Sequence, residues 1–130
     1  MATSKKYDLI RVTYEMLQTS SPEDLKIRDI AAAAHCTSAV IYKHFNDLDH
    51  LIMIASVRFL EDYIIELQDI TNQSIDPLTV ETTMWQAFAK HAFKNLEVFD
   101  LFFWGKYKEY FGDTIYEYYQ MFPEQWTRLN

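Results

Sequence analysis

Ile30-Ala31-Ala32-Ala33-Ala34-His35-Cys36-Thr37-Ser38-Ala39-Val40-Ile41-Tyr42-Lys43-His44-Phe45 is the stretch whose reading decides the fold. The four consecutive alanines, 31–34, have high helix propensity and small side chains that let a second helix approach closely. Thr37 stands where a second helix would need an N-cap, its hydroxyl offered to an amide that the helix start leaves unpaired. Between them His35 occupies a joint where Gly is usual, because one residue of such a turn adopts a left-handed backbone; His is among the few other residues enriched there. The stretch predicts two short helices, 27–34 and 38–45, joined by a tight turn. Ala31 and Ala34 lie at the crossing, Cys36 turns a small apolar side chain inward, and Ile41 and Phe45 anchor the underside of the second helix. That leaves Ser38, Ala39, Tyr42, Lys43 and His44 facing outward.

The flanking sequence extends the helical pattern in both directions. Upstream, Leu9, Val12 and Met16 recur at three- and four-residue steps, with Ile10 and Leu17 beside them; Ser4 is the expected cap and Thr19-Ser20-Ser21-Pro22 the stop. Downstream, Asn46 or Asp47 caps a long fourth helix over 48–71, with Leu51, Ile52, Ala55, Phe59, Leu60, Tyr63, Ile64 and Leu67 as its buried stripe. Residues 72–77 form the clearest internal boundary, with Asp76 capping and Pro77 opening a fifth helix that runs to about residue 95. Residues 96–122 are crowded with Phe, Tyr and Trp, split by Gly105 and by Gly112-Asp113 into two helices. With only two Gly and three Pro in 130 residues, the chain favours helices with short joints over strands with many turns. The expected fold is all-α: a three-helix head over 1–50, a fourth helix bridging layers, and a short, aromatic-rich helical part over 73–130.

Hydrophobic content of 49% rules out disorder. The single cysteine cannot close an internal disulfide, which suits a reducing cytoplasm. The start of the chain is charged and amphipathic, unlike a signal peptide, and its apolar runs are too short to span a bilayer, so a soluble protein is expected. His35, Cys36, His44 and His50 lack the paired spacing of a zinc site, and the sequence calls for no metal and no cofactor. Neither a phosphate-binding Gly loop, a nucleophile elbow nor a His-Glu zinc motif is present, and an enzyme is not expected. The net charge of −7 is unevenly spread: residues 1–50 hold six Lys/Arg against seven Asp/Glu, residues 51–130 six against twelve. The acid lies mostly in the second part, leaving the first compatible with a phosphate backbone.

Two short helices at a tight turn are a common way of presenting a helix to DNA. Ile30-Ala31, Tyr42-Lys43-His44-Phe45 and Leu51, at these spacings, resemble the DNA-binding head of the tetracycline-repressor (TetR) family of transcriptional regulators, over about residues 5–65. The resemblance implies a helix-turn-helix head and a helical regulatory body. It further implies a homodimer on a palindromic double-stranded operator, acting as a repressor released by a small molecule. Under that resemblance, Thr37 and Ser38 fall at the recognition-helix N-terminus, and Ser38, Ala39 and Lys43 are the base-reading candidates. Tyr42 and His44 would position the backbone, with Lys5, Lys6, Lys26 and Arg28 adding sequence-neutral attraction. The family usually carries a phosphate-touching Lys where this chain has Leu48, a departure expected to lower affinity and to reduce the salt slope by about one unit. The family also places more helices after the fourth than residues 73–130 supply, so either the regulatory body is small or this is part of a longer chain.

The aromatic region admits three readings. It is a cavity for a planar or hydrophobic effector, lined by Trp85, Phe88, Phe103, Trp104 and Tyr107 with His91 giving orientation; it is core; or it offers a partner face, with Tyr116-Glu117-Tyr118-Tyr119 as a dimer surface. The alternative to a regulator is a helical ligand-binding or protein-interaction module of this fold that has lost specific DNA binding.

Overall fold

The computed structural model describes residues 5–73 and 76–125, all of whose regular elements are helical. The expected Ser4 cap and part of the 72–77 boundary lie outside the described residues. Eight α-helices follow in order: α1 (Lys5–Leu17), α2 (Ile27–Ala33), α3 (Ser38–His44), α4 (Leu48–Ser56), α5 (Glu61–Asn72), α6 (Pro77–Lys94), α7 (Leu96–Trp104) and α8 (Phe111–Met121). Short 3-10 turns lead from α1 towards α2, link α4 to α5, and lead into α8. No described helix is long and apolar enough to cross a membrane.

The turn between α2 and α3 is made as the sequence requires. His35 sits at φ 58°, the left-handed backbone expected of it. Its amide donates to the Ala32 carbonyl at 3.1 Å and the Cys36 amide to the Ala31 carbonyl at 2.9 Å, the paired bonds that end a helix when the next residue turns left-handed. Lys5 Nζ donates to the Ala34 carbonyl at 2.9 Å and satisfies another acceptor at this helix end. Ala31 and Ala34 are buried, Cys36 packs against the same core, and Ile41 and Phe45 close it from α3. Thr37 occupies the N-cap position with extended backbone, but its hydroxyl makes no capping bond; that expectation is corrected.

Asp47 is the cap of α4, its Oδ1 accepting from the His50 amide at 2.9 Å. Every residue from Leu51 to Val57 is buried, so this helix is covered on all sides rather than along one stripe. Leu51, Ile52, Ile54, Ala55 and Val57 join Leu9, Ile10, Ile30 and Ile41 in a first core. Met53 instead joins Leu60, Val98, Phe99 and Phe102 in a second. The single long helix expected over 48–71 is interrupted by a 3-10 turn at Val57–Leu60. At the break, the buried Ser56 hydroxyl donates to the Ile52 carbonyl at 2.6 Å, a side-chain bond that competes with the helical ladder and bends it.

Asp76 accepts from the Thr79 amide at 3.1 Å, and Pro77 begins α6, as the 72–77 pattern requires. Gly105 ends α7, but Gly112 breaks nothing: it lies inside the first turn of α8. Helix α8 returns to the first core through Tyr118, Tyr119 and Phe122. Phe122 meets Tyr7 edge-on at a 5.3 Å centroid distance, and Lys6 pairs with Glu117 at 2.9 Å. The cores therefore do not divide where residues 72–77 divide the sequence. Tyr118 and Tyr119 are corrected from dimer surface to interior; of that segment only Tyr116 is strongly exposed.

The two glycines separate cleanly by experiment. A Cβ at Gly105 would lie 2.5 Å from the Leu101 carbonyl oxygen, a backbone atom that cannot swing away, whereas one at Gly112 meets nothing within 4 Å. Gly105→Ala is expected to destabilise by about 1–3 kcal/mol and Gly112→Ala to stabilise by about 0.4–1 kcal/mol, both read from denaturant melts. Equal effects would contradict this account of the α7 end.

Candidate nucleic-acid interface and aromatic groove

On α3, burial of Ile41 and Phe45 turns Ala39, Tyr42 and Lys43 outward at three- and four-residue spacing, on one face. Tyr42 is 58% exposed, too open for a packing role. Ser38 and His44 are half-buried at the margins of this face, and Thr37, Lys26 and Arg28 are exposed. Among the described residues no ion pair engages Lys26, Arg28 or Lys43.

Lys5 and Lys6 have work inside the fold. Lys5 caps the end of α2 and stands 3.8 Å from Asp8, while Lys6 reaches Glu117 and lies 5.7 Å from the centre of the Phe45 ring. The Lys6–Glu117 pair is partly buried, with the Lys6 side chain 28% exposed. Leu48, standing where the resemblance expects Lys, packs partly buried against the first core.

The corner after α3 is tied to the segment after α7. Asp47 Oδ2 accepts from Lys106 Nζ at 2.6 Å and from the Tyr107 hydroxyl at 2.9 Å. Burial works to raise the Asp47 carboxyl, but the bonds from Lys106, the His50 amide and Tyr107 outweigh it and hold the group below its ordinary range. His50 Nδ1 accepts from the Asn46 amide at 3.1 Å, and its ring lies 5.6 Å from that of Tyr107. Burial leads in pushing the His50 imidazole down, with the Lys6 charge acting the same way and Glu117 and Asp47 opposing.

A groove of about 930 Å³ opens between α5, α6 and α7. Of the six residues expected to line a ligand site, Trp85, Phe88, Phe103 and Trp104 line this groove. The other two are corrected. His91 is buried beside the groove, its Nε2 2.6 Å from Glu66 Oε2 and its ring 5.3 Å from that of Tyr63. Lys90 also pairs with Glu66, and the bonds from Lys90 and then His91 lower the Glu66 carboxyl. Tyr107 is held at Asp47. The remaining lining comes from Tyr63 in the first turn of α5, Thr71 in its last turn and Gln73 just after it, and from Pro77, Val80, Glu81 and Met84 in the first half of α6. Met84 and Val80 precede Phe88 by four and eight residues, a helical spacing that puts them on its face of α6. Burial raises the Tyr63 hydroxyl, keeping it in its neutral form.

Comparison with known proteins adds no relative: no family model matches the chain, and neither a curated protein nor a solved structure matches it.

The His50 geometry sets a pH dependence. With the folded pKa below the ordinary value of about 6.5, the unfolded chain takes up the proton first, so the neutral ring's contribution is present above that pH and lost as pH falls through the folded value. Protonating Nδ1 would also set two donors against each other at Asn46. Melting temperature should therefore fall between pH 7.5 and 5.5, and the fall should flatten in His50→Gln. The same slope in both proteins would exclude His50 as its source.

Proposed function

We propose that this chain is a DNA-binding transcriptional regulator, a repressor whose α2–turn–α3 unit reads a palindromic operator and whose groove takes a small hydrophobic or aromatic effector. It acts as a homodimer in the cytoplasm, since one short reading helix meets only half of a palindrome, and it carries no catalytic function. The observation that carries this reading is the left-handed His35 turn, which sets α3 against a packed underside with Ala39, Tyr42 and Lys43 free on the opposite face. The groove supports the second half: its lining is mainly apolar, and one of its walls, α7, packs on α4 as α1 of the head does.

A second reading, a ligand-binding or protein-interaction module without specific DNA binding, is favoured by other observations. Lys5 and Lys6 are engaged within the fold, Leu48 is packed, and the net charge is −7. Both readings predict the same fold and differ in one measurement. A regulator binds random duplex DNA at low salt and keeps a selected genomic site as salt rises; absence of any duplex affinity in dilute buffer would sink the first reading. On the selected site, Tyr42→Ala should lower affinity by about 1.5–3 kcal/mol, the loss of one hydrogen bond to a charged phosphate, with a change in stability within about 0.5 kcal/mol. A large loss of stability would instead assign Tyr42 to the core.

A further inference from the structure

The aromatic rings of the groove pack into one cluster. Phe88 stands at its centre, edge-to-face with Tyr63 at 6.0 Å, with Trp85 at 6.1 Å and with Phe103 at 5.9 Å; Phe103 in turn meets Trp104 at 5.9 Å and 70°. Such pairs set positive ring edges against negative ring faces. Trp85 and Trp104 remain 65% and 74% exposed, so much of their ring surface is open to a ligand. Open faces of indole are the best aromatic partners for a positive charge.

Glu81 supplies the matching charge. Among the described residues lining the groove it is the one with a formal charge, and it precedes Trp85 and Phe88 by four and seven residues, on the same face of α6. No described cation or hydrogen-bond donor engages it. An anion would face both the ring quadrupoles and this exposed carboxylate, whereas a cation is attracted by both and a neutral ligand by neither charge. The chain's net charge of −7 further concentrates cations near the surface. The volume of about 930 Å³ suits a drug-sized molecule.

We propose that the groove binds a hydrophobic monovalent cation, a quaternary ammonium, phosphonium or protonated amine carrying aromatic or bulky alkyl groups, with Glu81 and the rings of Trp85 and Trp104 as its counter-groups. This names the ligand class of the effector site and rests on reading the groove as that site. Tetraphenylphosphonium and tetraphenylborate, nearly the same size and opposite in charge, make the test. Calorimetry, with quenching of tryptophan emission as a second readout, should show the cation binding at least tenfold more tightly than the anion. Glu81→Gln should weaken the cation at least threefold, while Glu15→Gln, the same charge change on α1, leaves it within experimental scatter. Equal or tighter binding of the anion overturns the cation proposal while leaving an apolar site in place. Equal effects of the two Glu variants assign the preference to net charge and overturn the role of Glu81. Binding of neither probe overturns the proposal and counts against the groove as an effector site, while leaving the DNA-binding measurements untouched.

Discussion

A helix that is apolar all round has to be covered all round, and α4 imposes that demand on this chain. Its run from Leu51 to Val57 is wholly buried. The head supplies one cover through α1, α2 and α3; α7 and the segment linking α4 to α5 supply another. Helix α8 closes the gap near the head with Tyr118, Tyr119 and Phe122. Neither the head nor the aromatic region could lose the other without exposing a face of α4, and at about 25 cal/mol per Å² of apolar surface such exposure costs several kcal/mol. A displacement on one side of this helix is accordingly felt on the other, because packed interiors yield little.

Polar contacts mark where these covers meet. Asp47 caps α4 and also holds Lys106 and Tyr107, which follow directly from the groove-lining Phe103 and Trp104. Lys6 and Glu117 join α1 to α8. These contacts are partly open to water and add little to stability by themselves. Their consequence is register: they fix which turn of one helix faces which turn of the next, which apolar packing alone leaves looser.

The aromatic residues divide by burial into two populations with different physical roles. Phe99, Phe102, Tyr118 and Phe122 are interior, stacked or edge-on against one another. Trp85, Phe103 and Trp104 belong to the same helices or their neighbours but remain in contact with solvent. Side chains this apolar at an open surface are the unusual feature of the molecule, and they give the groove a chemistry distinct from the core beneath it.

Local chemistry was legible in the sequence at most positions where one residue decides a backbone choice, Thr37 excepted, which takes the N-cap position without its side-chain bond. His35 at the turn, Asp47 and Asp76 at helix starts, Pro77 in a first turn and Gly105 at a helix end all follow from donors, acceptors and allowed φ angles within a few residues. The outward set on α3 was legible too, since Ile41 and Phe45 leave the opposite face open. Contacts between distant segments were not. Gly112 reads as a breaker but sits in the first turn of a helix, Tyr118 reads as surface but fills the interior, and Tyr107 reads as groove but is held by Asp47. His91 likewise lies on the expected helix yet turns to Glu66. For Tyr118, Tyr107 and His91 the deciding contacts lie elsewhere in the chain, and helical periodicity reports which face a residue occupies without reporting what that face meets. The sequence by itself determined the all-helical class and most helix starts and stops, because those depend on neighbours; only the tertiary structure decided the break of the 48–71 helix at Val57–Leu60 and which aromatics are core and which are groove, because burial is a property of what packs on top.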